Sequence, residues 1–195
     1  MLQLIRNHCT SAVLDACVLY SAALRDLWMY LAVKQAFQPK WTAQIQEEWL
    51  RNLLKNRPDL RAENLSLTRQ RMEAAAGDWQ LPEDAHLPPT VNLPDPNDRH
   101  VVAAALAGGV PTIVTFNLSD FPRGALEPIG VRALHPDAFA CELLAADPAT
   151  FIAAVRANRA ALKAPPKTAR QYLETLGRVG LPSTVAALEP YEDTL

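Results

Sequence analysis

The apolar and polar positions of this chain fall into alternating strand-like and helix-like segments. Ser11 to Leu14 is a short apolar run that ends abruptly on Asp15, as a buried strand would. Leu24, Leu27, Trp28 and Leu31 follow at i, i+3, i+4 and i+7, which is the spacing of one helix face. Thr42 opens a second helix after Pro39, with Ile45, Trp49 and Leu53 on one side and Glu48 beside them. Pro58 stops it, because proline disfavours helix in the preceding residue. Glu63 to Ala76 reads as a further helix, and Leu81 to Pro96 as a proline-rich loop with one short strand at Thr90 to Leu93. Asn97 or Asp98 then caps a helix running to Leu106, closed by Gly108-Gly109. Pro111 to Phe116 and Val131 to Leu134 are the remaining strands.

From Asp137 to Glu189 the pattern predicts three or four helices, broken at Pro148, Pro165-Pro166 and Pro182. Alternating strands and helices imply an α/β domain with a central parallel sheet, whose ligands lie beyond the carboxyl ends of the strands. The expected division is an α/β domain over 1–140 and a helical extension over 141–195.

Composition narrows the class. With 195 residues, 49% hydrophobic and 21% charged, the chain can bury a core without disulfides or a structural metal. Cys9, Cys17 and Cys141 are odd in number, widely spaced and without a CxxC pair, so they read as buried, inert thiols in a reducing compartment. The longest apolar stretch, near Val101 to Val110, falls well short of the ~18 residues of a membrane span, so a cytoplasmic protein is expected. Four scattered histidines, His8, His86, His100 and His135, offer no zinc spacing and no pairing with Cys17 for nucleophilic catalysis. Trp28, Trp41, Trp49 and Trp79 read as packing residues, and no phosphate-binding glycine motif occurs.

The net charge of −2 carries no global nucleic-acid signature. Two local stretches are basic: Arg51, Lys55, Arg57, Arg61, Arg69 and Arg71, and Arg156, Arg159, Lys163, Lys167 and Arg170. Each fits a phosphate-tracking surface or a solvated helix face. In the second stretch, Phe151, Val155 and Leu162 would pack the tail onto the domain and leave the charges in water. Arg25 and Asp26 read as a surface pair on a helix.

Four carboxylates stand where this topology could gather them: Asp15 at a strand end, Glu48 in a helix, Asp98 at a helix start and Asp120 after the strand ending near Phe116. Gathered, they would repel one another unless they held a hard cation such as Mg²⁺ or Mn²⁺, which suits phosphodiester hydrolysis. Taken singly, Asp15 fits a turn cap, Glu48 a solvated helix residue, Asp98 an N-cap and Asp120 a turn before Pro122. Spacing alone leaves both readings open.

The words around these residues go further. VLDACVLY at 13–20, TAQIQEEW at 42–49, DPNDRHVVAAAL at 95–106 and TFNLSDFP at 115–122 together resemble the PIN-domain family, metal-dependent ribonucleases that include VapC-type toxins. The resemblance covers about residues 11–140 and implies an α/β/α sandwich around a central parallel sheet. It also implies Asp15, Glu48, Asp98 and Asp120 as catalytic and metal-binding residues, with Thr115 and Asn117 in support. Glu48 is preferred to Glu47 by its place after Thr42 and Ile45, and Asp95 is a candidate outer ligand or a turn residue before Pro96. Many members carry Asn two residues after the first Asp, where this chain has Cys17, so one hydrogen bond of the site is missing or supplied elsewhere.

The implied cofactor is Mg²⁺ or Mn²⁺, and cleavage would leave a 5′-phosphate and a 3′-hydroxyl. The implied partners are an RNA substrate, a cognate antitoxin that lays an Arg-bearing peptide over the acidic cleft, and a second copy of the chain in a homodimer; no membrane partner is implied. The competing readings are a catalytically silent RNA- or protein-binding module of the same fold, and a haloacid-dehalogenase-like phosphatase with Asp15 as nucleophile. The latter needs a second Asp where Cys17 stands.

Overall fold

The computed structural model describes residues 10–83 and 85–195. Cys9 and His8 lie outside the described residues. Four parallel strands, β1 (Ser11–Leu14), β2 (Gln38–Lys40), β3 (Thr112–Val114) and β4 (Arg132–Leu134), form one sheet in the order β2-β1-β3-β4. Ten α-helices are described: α1 (Ala16–Tyr20), α2 (Ala22–Val33), α3 (Ala43–Asn56), α4 (Ala62–Ala76), α5 (Arg99–Ala107), α6 (Arg123–Leu126), α7 (Pro136–Ala146), α8 (Pro148–Ala161), α9 (Ala169–Arg178) and α10 (Pro182–Leu188). The expected α/β sandwich around a parallel sheet, with a helical C-terminus, is the fold observed.

β1 from Ala12 to Leu14 and the whole of β3 are closed to solvent, because parallel strands are covered on both faces. β2 is a strand that the sequence pattern misses. Pro39 lies within it, and a proline without an N–H is tolerated there because β2 is an edge strand. Conversely, the strand expected at Thr90 to Leu93 is turn and irregular chain. The loop's carbonyls serve a different purpose: the Arg99 guanidinium donates to those of Val91 and, before that segment, Leu87 and Pro88, pinning the loop to the start of α5. The helices begin where capping chemistry predicts, with Thr42 accepting the Ile45 N–H at 3.2 Å and Thr168 forming a reciprocal capping box with Gln171.

Trp28, Trp41 and Trp49 are fully buried, and the half-buried Trp79 stacks on Trp41 at 5.8 Å, which agrees with their reading as packing residues. Arg25 is not half of a surface pair. It is buried, its guanidinium lies 4.6 Å from the centre of the Trp49 ring, and it donates to the Leu19 carbonyl at 2.7 Å. The apolar ring of Trp49 and a carbonyl at the end of α1 compensate a charge that burial alone would expel.

The C-terminal helices pack against the α/β layer, with α8 on α2 and with Phe151, Ala154 and Val155 closed to solvent. Several charges of the two basic stretches are engaged within the chain. Arg57 pairs with Asp59 at 2.6 Å, Arg69 with Glu73 at 2.8 Å, and Arg159 donates to the Lys167 carbonyl at 2.8 Å. Cys17 and Cys141 are free and half-buried rather than fully buried. No described helix is long and apolar enough to cross a membrane.

Candidate active site

β1 and β3 are neighbours, yet the chain leaves β1 towards β2 on one side and β3 towards β4 on the other. Their carboxyl ends therefore flank the switch point at which open parallel sheets form crevices. Asp15 follows β1 and is nearly closed to solvent, with its backbone N–H bound to the Val114 carbonyl at 3.1 Å. Its carboxylate does cap α1, through the Ala16 N–H at 2.6 Å to Oδ1, and Oδ2 is left for another purpose. The Thr115 hydroxyl donates to Oδ2 at 2.7 Å, across the seam between the two strands.

Cys17 also donates to Asp15 Oδ2, at 3.0 Å, and its sulfur accepts the Phe116 N–H at 3.3 Å. The hydrogen bond that Asn would provide at this position is thus supplied by a thiol. Burial, and then the adjacent Asp15 charge, push the thiol pKa up to about 12. It therefore stays protonated, as a donor rather than a nucleophile.

The other acids arrive from three further elements. Glu48, half-buried on α3, faces an open cleft of about 480 Å³ that Asp15, Asp95, Asp98 and Asn117 also line, while Glu47 is exposed. Asp98 occupies the N-cap position of α5 but makes no capping bond with its side chain. Asp95 takes the capping duty one turn earlier, accepting the Asn97 N–H at 2.8 Å, so the Asp98 carboxyl is left for the cleft. Asp120 ends the short turn Leu118–Asp120, half-buried beside the Ser119 hydroxyl at 3.4 Å; it does not line the cleft and is tied to the other acids through its charge on Asp98. Asn117 donates its backbone N–H to the Thr115 hydroxyl at 3.0 Å, holding the rotor that serves Asp15.

The electrostatics join the set. Asp98 is pushed up to about 6, first by burial and then by the carboxylates of Asp15, Asp95, Asp120 and Glu48. Like charges crowded into a partly desolvated cleft produce this shift, and a bound cation would reverse it. Among the described residues, no three or more His, Cys, Asp or Glu side chains form a ready-made ion cage. The donor chemistry nevertheless fits a hard divalent cation. The four acids offer oxygen only, and Mg²⁺ needs one or two carboxylates, the rest of its shell coming from water and substrate phosphate.

Sequence reasoning passed over His100. Its Nε2 lies 3.5 Å from Glu48 Oε2, and neither buried ring nitrogen has a hydrogen-bond partner among the described residues. Lack of zinc spacing hides it in the sequence, although its place two residues after Asp98 on the same helix start is a usable signal. Asn52 and Asn56 also line the cleft, and their spacing of four residues from Glu48 and from each other could have placed them there.

The comparisons agree with this architecture. Residues 11–119 match the PIN domain, and residues 136–190 match the VapC50 C-terminal domain. The chain belongs to the PIN-domain family. Its second match sets this PIN-domain protein with the VapC type, whose C-terminal domain coincides with α7 to α10. Over 80 residues it is 40% identical to the protein named "Putative ribonuclease VapC50" of Mycobacterium tuberculosis (strain ATCC 25618 / H37Rv), covering 41% of this chain and 47% of that protein. The alignment thus spans about half of the relative. No solved structure matches this PIN-domain chain.

Proposed function

We propose that this protein is a Mg²⁺- or Mn²⁺-dependent endoribonuclease that works in the cytoplasm as the toxin of a type II toxin–antitoxin pair. The observation that carries the reading is the cleft lined by Asp15, Glu48 and Asp98 beside the β1/β3 switch point, with Asp120 close enough for its charge to help raise the pKa of Asp98. The relative's name, which calls it a ribonuclease, supports the same class of activity.

In this reading the four acids are both the metal ligands and the catalytic residues. A divalent ion held by them would supply an activated water and neutralise charge on the scissile phosphate. Thr115 and Cys17 fix the position of the Asp15 carboxylate by donating to Oδ2. Asn117 steadies Thr115 through its backbone and presents its side chain to the cleft. Asp95 shapes the turn that delivers Asp98. Residues 1–140 would form the nuclease unit and 141–195 the helical extension, in a homodimer silenced by a cognate antitoxin. Cys17, a protonated thiol where a phosphatase of the haloacid-dehalogenase kind needs a second carboxylate, speaks against that alternative.

The test is incubation of the purified protein with labelled cellular RNA in Mg²⁺ or Mn²⁺ and then in EDTA, beside Asp98→Asn. Cleavage that requires metal and disappears in the variant is the expected result. RNA bound but left intact by folded, antitoxin-free protein in either metal would favour a silent binding module.

A further inference from the structure

The acidic cleft does not end at the carboxylates. It continues along the groove between α1 and α3, where Tyr20, Asn52 and Asn56 line it beyond Glu48. Glu48, Asn52 and Asn56 stand at i, i+4 and i+8, so they form a single stripe on α3. At 1.5 Å of rise per residue the stripe extends about 12 Å from the carboxylates, long enough for more than one nucleotide. Tyr20 closes the opposite wall at the end of α1, the helix that begins on Asp15.

The stripe is poorly explained by stability. The buried face of α3 is Ile45, Gln46, Trp49 and Leu53, and the two asparagines lie beside it, exposed to solvent. Asparagine is a weak helix former, and Asn52 lies inside the helix rather than at a cap. Among the described residues neither amide has a hydrogen-bond partner, so each has its donors and its acceptor free. Arg51 and Lys55, one residue before each asparagine, are exposed on the flank of the same stripe.

We propose that Tyr20, Asn52 and Asn56 form a base-reading track for single-stranded RNA, which sets the sequence preference of the nuclease, while Arg51 and Lys55 hold the backbone. This rests on the ribonuclease reading above. A carboxamide can donate and accept at once, which matches a base edge, and an unstacked base needs an aromatic face such as that of Tyr20. Phosphate contacts position the strand and carry no sequence information, the part left to the two cations. Glu48, at the head of the stripe, places the scissile bond next to the reading residues.

The experiment measures binding without turnover. Fluorescent single-stranded homopolymers of A, C, G and U are titrated in EDTA against the wild-type protein, Asn52→Ala, Asn56→Ala, Tyr20→Leu and Arg51→Ala. Cut-site sequences from the cellular RNA pool are then compared in metal. The asparagine variants are exposed helix positions changed to a better helix former, and circular dichroism verifies that they fold.

The expected result is base-dependent wild-type binding that the asparagine variants weaken about tenfold for the preferred base alone. Tyr20→Leu would weaken all bases, and Arg51→Ala would weaken all bases and flatten the salt dependence. Cleavage by the asparagine variants at an unchanged base pattern would overturn the track while leaving the nuclease reading intact. A wild-type protein that neither binds nor cuts RNA would overturn both.

Discussion

Thr115 donates its hydroxyl to Asp15 Oδ2 at 2.7 Å, although the two residues are a hundred positions apart in sequence. The contact exists because β1 and β3 are adjacent and end at the same level, with Leu14 beside Val114. One hydroxyl thereby ties two carboxyl-terminal strand ends together and fixes the buried acid of the site.

Thr115→Val keeps the shape of that side chain and removes the donor. Asp15 Oδ2 would keep only the Cys17 thiol, a weak donor, and the Asn117 N–H would lose its acceptor. The expected cost is roughly 1–3 kcal/mol of stability, read by urea denaturation, with a loss of activity of about 10- to 100-fold. Thr115→Ser, which keeps the hydroxyl, should recover most of the activity. An active Thr115→Val beside a damaged Thr115→Ser would mean that the methyl group, not the hydrogen bond, matters here.

Asp98 is predicted to weaken the metal-free protein that it serves. Its pKa, raised by burial and then by four neighbouring carboxylates, means that the folded chain holds its proton more tightly than the unfolded chain. The penalty of ionising it is therefore in full force above about pH 6 and is relieved as pH falls from there towards the ordinary carboxylate value. Asp98→Asn should thus raise metal-free stability at pH 7.5, by roughly 1 kcal/mol after allowance for its half-exposed setting, and should abolish cleavage. The advantage should narrow as pH falls through this range. Thermal melts in EDTA across pH measure it, and a variant no more stable than wild type at pH 7.5 would refute the crowding of charge.

Gly180, between α9 and α10, lies against Phe116 beside the site. Gly180 adopts φ +97°, and a Cβ there would come within 2.8 Å of the ring of Phe116, a residue whose backbone N–H donates to the Cys17 sulfur. Gly180→Ala pays for both an unfavourable backbone and an overlap, roughly 2–4 kcal/mol together, and should displace the ring that follows Thr115. Gly177, inside α9, meets only Val185 at 4.0 Å, so Gly177→Ala should be neutral or stabilising by about 0.5–1 kcal/mol. Chemical denaturation and RNA cleavage on the pair distinguish a local conflict from general intolerance of the tail.

What the sequence reveals of this architecture follows from how local each cause is. β1 and β3 are legible because buried strands leave apolar runs, and β4 from its short stretch after Gly130 although it is exposed to half-buried, whereas β2 is hidden by Pro39. The bounds of α5 are legible from Asp at its start and Gly at its end, but not that Asp95 caps while Asp98 does not, since both residues satisfy the same rule. The four acids stand out through the words around them rather than through spacing. The placement of His100 beside Glu48, and of Arg99 under the 81–95 loop, depends on how α5 docks, which no local pattern encodes. Arg25 misleads for the same reason: its burial is set by Trp49 from another helix.

Asp137 anchors the end of the chain in the way a ligand would. From α7 it accepts the N–H groups of Ser183 and Thr184 at 2.9 and 2.8 Å and the Thr184 hydroxyl at 2.7 Å, satisfying orphan donors at the start of α10. Burial by itself would raise its pKa, but these hydrogen bonds, led by those from Thr184, hold it below the ordinary value. The stability it provides is therefore present above the usual carboxylate range and lost as pH falls through its depressed folded value. Asp137→Ala leaves three donors facing a cavity and should cost roughly 2–4 kcal/mol, concentrated in α10, while Asp15, Glu48, Asp98 and Asp120 stay in place. Amide hydrogen exchange should show α10 losing protection first in the variant at neutral pH, and in the wild type only under acid. Uniform loss of protection across the sheet would show instead that the tail and the α/β layer unfold as one unit.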